Sequence, residues 1–115
     1  MFIAAKERHF EIKEAMRGGD GSVQLETLPK EQLPLHCRLA GTLTLKPGCS
    51  IGTHAHEGET EIFCFVSGRG QVEDNGQVIA VQAGDMLTTG CGGTHGVKNT
   101  GDQDLVLTAC IVTEA

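Results

Sequence analysis

The chain contains no tryptophan and no tyrosine, so bases or sugars cannot be bound by stacking on those rings. Basic charge is also scarce. Nine Lys and Arg stand against fifteen Asp and Glu, and the cations are scattered rather than gathered into a stripe. A nucleic-acid or anionic-membrane surface would need such a stripe, so neither partner is expected. No long apolar run occurs. The opening "MFIAAKERHFEIK" turns to charged residues after a few apolar ones, too soon for a signal-peptide core or a membrane-spanning helix. A cytoplasmic location is the expectation. The five cysteines (Cys37, Cys49, Cys64, Cys91, Cys110) include no C-x-x-C pair, and their number is odd. With nothing pointing to secretion, they read as reduced thiols, mostly buried.

Three prolines against sixteen glycines indicate many turns. With 115 residues, 39% of them hydrophobic, the chain has room for one core and no second. Short runs rich in Val, Ile, Leu, Thr and Phe recur between Gly, Asp and Asn turns: "LAGTLTL", "EIFCFV", "GRGQVE", "QVIAVQ", "DMLTT" and "LVLTACIV". Such lengths and spacings predict an all-β sandwich or barrel. Asn75-Gly76 predicts a type I′ hairpin, and "KPGCS" (46–50) and "NTGD" (99–102) predict further turns. The segment "AKERHFEIKEAMR" is open between an amphipathic helix and a strand over "EIKEAM", and "RGGDGS" (17–22) reads as a flexible link. Residues 1–36 are accordingly taken as an N-terminal arm and link, and 37–115 as the barrel.

In "EIFCFV" both faces carry apolar residues, Phe63 and Phe65 on one and Ile62, Cys64 and Val66 on the other. A sheet with one face in water alternates apolar with polar. Either the N-terminal segment or a second copy must cover the other face, and a homodimer is the expectation.

The stretch "GTHAHEGETEIF" holds His54 and His56 two residues apart. On a strand such a pair points to one side, about 6.6 Å apart, within reach of one ion. "EGET" (57–60) reads as a bend, after which Glu61 begins a new strand facing the histidines. A carboxylate leading a hydrophobic run is buried, and a buried carboxylate wants a cation. Glu57 and Glu59 fall in the bend and read as a solvated acidic rim. His95 begins another short strand after the glycine-rich turn in "CGGTHGVKN", whereas His9 and His36 read as surface residues.

At this point the residues resemble a known family. The segment 48–68, with Gly48, His54, His56, Glu61 and Gly68, resembles the first cupin motif. The segment 84–99, with Gly84, Gly92, His95 and Asn99, resembles the second. The family usually has proline where Gly90 stands, a departure that puts the turn before His95 in question. The resemblance covers about 75 residues, from near Leu39 to the end, and says little about residues 1–36. It implies a double-stranded β-helix, a jelly-roll barrel whose mouth is lined by His54, His56, Glu61 and His95. It also implies one divalent transition metal held by those four. Three imidazoles and a carboxylate suit Fe(II), Mn(II), Ni(II), Cu(II) or Zn(II), and an octahedral ion would keep two positions open.

The function so implied is a metal-dependent enzyme acting on a small polar molecule, either a dioxygenase or a Lewis-acid isomerase or decarboxylase. The alternative is a metal-anchored module that binds a small ligand without turnover. Acid–base catalysis needs a proton carrier near the ion, and here the supply is thin. Glu57 and Glu59 are the catalytic candidates, and Lys98 and Asp85 sit in turn-like contexts. That scarcity favours oxygen chemistry, which asks less of side chains. Arg38 is a candidate anion clamp, Phe63 and Phe65 are candidates to line a substrate cavity or pack the core, and Cys49 and Cys91 lie beside the motifs.

Overall fold

The computed structural model describes residues 1–114, and within them the chain is all-β. The strands are β1 (His9–Glu14), β2 (Ser22–Thr27), β3 (Cys37–Leu45), β4 (Ser50–Ala55), β5 (Glu59–Ser67), β6 (Arg69–Asp74), β7 (Gln77–Gln82), β8 (Met86–Gly90), β9 (Thr94–Lys98) and β10 (Leu105–Thr113). They form two antiparallel sheets, ordered β1-β2-β3-β10-β5-β8 and β4-β9-β6-β7. The strand pattern predicts a sandwich or barrel, and the arrangement is the jelly roll that the family resemblance implies. The six apolar runs all fall in strands, and Asn75 (φ 50°) and Gly76 (φ 88°) make the two-residue turn between Asp74 and Gln77.

The strands alternate because one face of each sheet turns inward. In β2 the residues Val23, Leu25 and Thr27 are buried, and in β10 Leu105, Leu107, Ala109 and Ile111 are. With Leu43, Leu45, Phe63, Phe65, Val72 and Val97 they fill the space between the sheets. Phe63 and Phe65 are therefore core residues, 1% and 3% exposed. The outward residues of β5, Ile62 and Cys64, are half-buried and Val66 is exposed.

The N-terminal segment resolves to a strand rather than a helix. Phe10 and Ile12 alternate with Glu11 and Lys13 at period two, and the open edge of β2 offers unpaired backbone groups to such a segment. Residues 17–22, expected as a flexible link, form instead a tight turn seated on β4. A Cβ on Gly19 or Gly52 would collide with the other segment's backbone, so the two segments are in direct contact. Ser50 fixes the turn twice: its N–H donates to the Asp20 carbonyl (2.9 Å) and its Oγ accepts from the Asp20 N–H (2.8 Å).

Asn99, 1% exposed, closes the β9–β10 connection as its turn position suggested. Its Nδ2 donates to the carbonyls of Leu45 (2.8 Å) and Gln103 (2.7 Å), and its Oδ1 accepts from the Gly101 N–H (2.9 Å). Asn99→Ala removes all three and strands two carbonyls near the core. The expected loss is about 3 kcal/mol of stability by urea unfolding, at about 1 kcal/mol for each bond.

All five cysteines are free thiols. Cys91 is exposed and the other four are half-buried, a lesser burial than expected. His9 and His36 are exposed, as expected.

Candidate metal centre

The two sheets come together at one end of the barrel around four side chains. His54 lies on β4 directly opposite His95 on β9, so antiparallel pairing sets both rings on one face. Glu61 lies on β5 in the other sheet, opposite Thr89 on β8. His56 follows the last residue of β4, in the bend before β5, and is pinned there by its N–H to the Gly93 carbonyl (3.0 Å). The expectation of a bend over 57–60 holds in part: residues 56–58 turn, and β5 already begins at Glu59.

The donor atoms of these four residues lie within 4.8 Å of one another. His56 Nε2 is 3.1 Å from His95 Nε2, which is 3.2 Å from His54 Nε2. Glu61 Oε1 is 2.9 Å from His56 Nε2 and 3.0 Å from His95 Nε2. His56, His95 and Glu61 are buried and His54 is partly open.

Each imidazole is oriented through its other nitrogen. His54 Nδ1–H donates to the Gly52 carbonyl (2.7 Å), His56 Nδ1–H to a Glu59 carboxylate oxygen (2.5 Å), and His95 Nδ1–H to the Thr89 hydroxyl (2.8 Å). Phe63 stacks on the His95 ring, centroids 4.7 Å apart and planes 14° from parallel. With Nδ1 carrying the proton, each Nε2 presents a lone pair to the centre. Three lone pairs and a carboxylate then converge with nothing between them to share. A proton on one nitrogen could serve one neighbour only, whereas a cation serves all four at once.

Donors about 2.1 Å from one ion lie about 3.0 Å apart on adjacent octahedral positions and about 3.4 Å apart on tetrahedral ones. The separations of 2.9–3.2 Å fit the octahedral edge. The residues therefore fit a divalent metal, with two positions left for other ligands.

Electrostatics keep the His54 ring nitrogen available. Burial pushes the His54 pKa below the usual imidazole value against the opposing pull of its bond to the Gly52 carbonyl, and the charge of Arg17 pushes it down as well. The Arg38 guanidinium, helped by the His56 ring, holds the Glu59 carboxyl down at about 2. Arg38 grips Glu59 through both Nε (2.7 Å) and Nη2 (2.8 Å).

Glu59 is thus no solvated rim group; its side chain is only 13% exposed and ties Arg38 to His56. The anion that Arg38 holds is this carboxylate. Sequence reasoning missed the relay because Arg38 and Glu59 are 21 positions apart, although Glu59 at three residues past His56 was a usable hint. Glu57 is exposed in the bend, as a rim residue would be.

A Glu59 carboxyl whose folded pKa lies below its ordinary 4.5 adds stability that is fully present above that pH. The contribution is lost as pH falls from there toward 2. In metal-free protein, the stability gap between wild type and Glu59→Gln is expected to be constant above about pH 4.5 and to close below it. Urea unfolding across that range measures the gap.

His54, His56 and Glu61, three of the four clustered residues, line a cavity of about 490 Å³. Its wall includes Leu39, Leu43 and Ile111 from the barrel and, unforeseen from the sequence, Glu11, Lys13 and Arg17 from the N-terminal segment. A cleft of about 970 Å³ adjoins it beneath β1 and residues 28–36, sharing Glu11, Lys13 and Arg38 but none of the four ligands. Gly90, where proline is usual, packs its Cα against the Thr60 side chain across the β5–β8 pair, and His95 keeps its place. Lys98 is exposed, and Asp85 serves its turn by accepting the Gln82 N–H (2.8 Å). Cys49 packs on the core and Cys91 is exposed in the turn before β9.

Comparison with known proteins bears on the fold and the family. The Cupin domain profile matches residues 41–112. An oxalate-binding protein of Thermotoga maritima is 42% identical over 98 residues, 84% of this chain and 81% of that one. A crystal structure described as a predicted oxalate decarboxylase, also from Thermotoga maritima, superimposes with a TM-score of 0.91. It is 38% identical, over 98% of this chain and 99% of the other. KdgF from Halomonas sp. shares the fold alone, with a TM-score of 0.76 and 19% identity over 97% of this chain and 93% of its own. On the profile match, the 42% identical relative and the jelly-roll architecture together, this chain belongs to the cupin family.

Proposed function

We propose that the chain binds one divalent transition metal through His54, His56, Glu61 and His95, and that the metal anchors a small chelating carboxylate such as oxalate in the cavity above. The observation that carries this reading is the convergence of three Nε2 atoms and one carboxylate oxygen with every Nδ1 engaged elsewhere. A bound ion would supply Lewis acidity and open coordination positions for a chelating ligand. The chain's own residues do the rest: they orient the rings, bury three of the four ligands, and wall the ligand space with apolar Leu39, Leu43 and Ile111. The identity of the 42% identical relative supports oxalate as the ligand to try first.

The test is elemental analysis of protein purified without an affinity tag or chelator, followed by calorimetric titration of the metal-loaded protein with oxalate. About one equivalent of metal and a saturable oxalate signal are expected. No metal even after reconstitution would end this reading.

A second reading is catalytic. Glu11 brings a carboxylate to the cavity wall, the proton carrier that the sequence did not reveal. A decarboxylase would turn hydrogen oxalate into carbon dioxide and formate, moving the acidic proton to carbon. Formate release from metal-loaded protein favours that reading, and unchanged oxalate favours binding alone.

The same proposal takes the chain as a cytoplasmic homodimer. Five free thiols suit a reducing compartment, and among the described residues no helix is long and apolar enough to cross a membrane. Phe10, Ile12, Val112 and Met86 lie exposed along the outer face of the six-stranded sheet. A second copy turned by a two-fold axis would cover them with the same residues. Light scattering should give twice the 12.2 kDa chain mass.

A further inference from the structure

We propose that Arg17 is the specificity residue for the ligand's two outward carboxylate oxygens, so that the N-terminal turn and the metal together recognise a dianion. This rests on the carboxylate reading above. Oxalate chelating through one oxygen of each carboxylate leaves two outward oxygens, and a charged, flat partner that meets them adds to the preference for a dianion that chelation itself gives.

Three cationic side chains border the cavity: Lys13, Arg17 and Arg38. Arg38 is held bidentately by Glu59 and is not free to take a second anion. Lys13 and Arg17 make no ion pair among the described residues. Of these two, Arg17 carries the planar fork that meets two carboxylate oxygens at once, where a lysine offers a point charge. Arg17 also lines the same cavity as His54, the most open of the four proposed ligands.

The backbone beneath Arg17 is built to hold it there. Ala15 (φ 49°) and Arg17 (φ 54°) both occupy the left-handed region, where non-glycine residues are held only when the surroundings require it. Those surroundings are present. The Ala15 N–H donates to the Gly21 carbonyl (2.8 Å), and the Gly18 and Gly19 N–H groups close back on Ala15 and Met16 (both 2.9 Å). The Arg17 carbonyl lies against Gly52 of β4, where only a hydrogen fits. A surface turn with no task could relax both residues; this one is locked with its arginine bordering the metal cavity.

The wall carries carboxylates as well, which sharpens the assignment. Glu11 is contacted by His9 (3.4 Å), and Glu14 lies on the outward face of β1, opposite Ser22. In an acidic protein of net charge −6, an anion entering this cavity needs a local cation, and Arg17 is the arginine without an ion pair that lines it together with the open histidine.

The test is calorimetric titration of the Mn(II)-loaded protein with oxalate and with acetate, for wild type, Arg17→Gln and Arg17→Lys. Glutamine and lysine meet the same left-handed backbone demand as arginine, and metal content and melting temperature verify the fold. The expected result is an oxalate Kd raised about 10- to 100-fold in Arg17→Gln and partly restored in Arg17→Lys. Acetate affinity should change less than about threefold, because acetate has one carboxylate and cannot present the pair of outward oxygens that the fork meets. Equal oxalate affinity in wild type and Arg17→Gln overturns the proposal. So does an equal loss for acetate, which would mark a general field rather than recognition. Wild-type protein that holds its metal but binds neither anion refutes the carboxylate reading itself, and the clamp falls with it.

Discussion

His56→Ala is expected to abolish stoichiometric metal binding while leaving a folded barrel. His56 Nε2 touches two of the other three donors, at 3.1 Å from His95 and 2.9 Å from Glu61, so its removal opens the centre of the set. Removal of an outer partner of a ligand typically costs 10- to 100-fold in metal affinity; removal of a ligand itself should exceed about 100-fold. The fold has separate support. The core of Val23, Leu43, Leu45, Phe63, Leu105 and Leu107 fills the body of the barrel and does not include His56. Glu59, which loses the His56 ring, keeps both bonds from Arg38. Far-ultraviolet circular dichroism should therefore be unchanged while metal content falls below a tenth of an equivalent at about micromolar free metal. Retention of a full equivalent would show that these side chains are not the ligands.

The four-residue cluster was readable because each member sits in its own short motif and obeys strand geometry, although His95 lies 34 positions past Glu61. His54 and Glu61 stand either side of a glycine-containing bend, and His95 opens a strand after a glycine-rich turn. The sheets then need only close for all four to meet. The turns were readable for a similar reason. Gly48, Gly68, Gly84 and Gly92 all take positive φ (83°, 83°, 97° and 79°), a conformation that announces itself through residue type.

What could not be read depends on contacts between distant segments. The Arg38–Glu59–His56 relay joins the first residues of β3 to the start of β5. In sequence Glu59 is one of three glutamates within five positions, and nothing local separates it from Glu57. The orientation of β1 is a sharper case. Phe10 and Ile12 are apolar and would ordinarily face a core, yet their cross-strand partners are Glu26 and Gln24 on the outward face of β2. The polar set His9, Glu11 and Lys13 shares the inward face with Thr27, Leu25 and Val23. Beneath β1 the inward face meets a polar cavity and an open cleft instead of packed side chains, so charge is tolerated inside and apolar surface is left outside. Alternation shows that a strand has two faces; what lies under each face decides which one turns in.

Gly52→Ala tests whether the N-terminal turn is part of the metal site, and a double loss is expected. Gly52 has two contacts that a methyl group would disturb. Its Cα faces the Arg17 carbonyl, and a Cβ there would overlap that oxygen and come within 3.0 Å of the Gly19 backbone nitrogen. Its own carbonyl accepts the His54 Nδ1–H at 2.7 Å and so sets which ring nitrogen faces the centre. Both obstructing groups are backbone, so no rotamer change relieves the clash; either the turn lifts or β4 shifts. Overpacking of this kind costs about 1–3 kcal/mol or more. A displaced Gly52 carbonyl also releases His54, for which a 10- to 100-fold weaker metal affinity is expected. Metal titration and urea unfolding of the same variant separate the two effects. Lost stability with unchanged metal affinity would mean that the turn lifts away while His54 stays in place, leaving the turn a structural neighbour. Loss of both would make residues 15–19 a supporting wall of the centre, the role that a clamp at Arg17 requires.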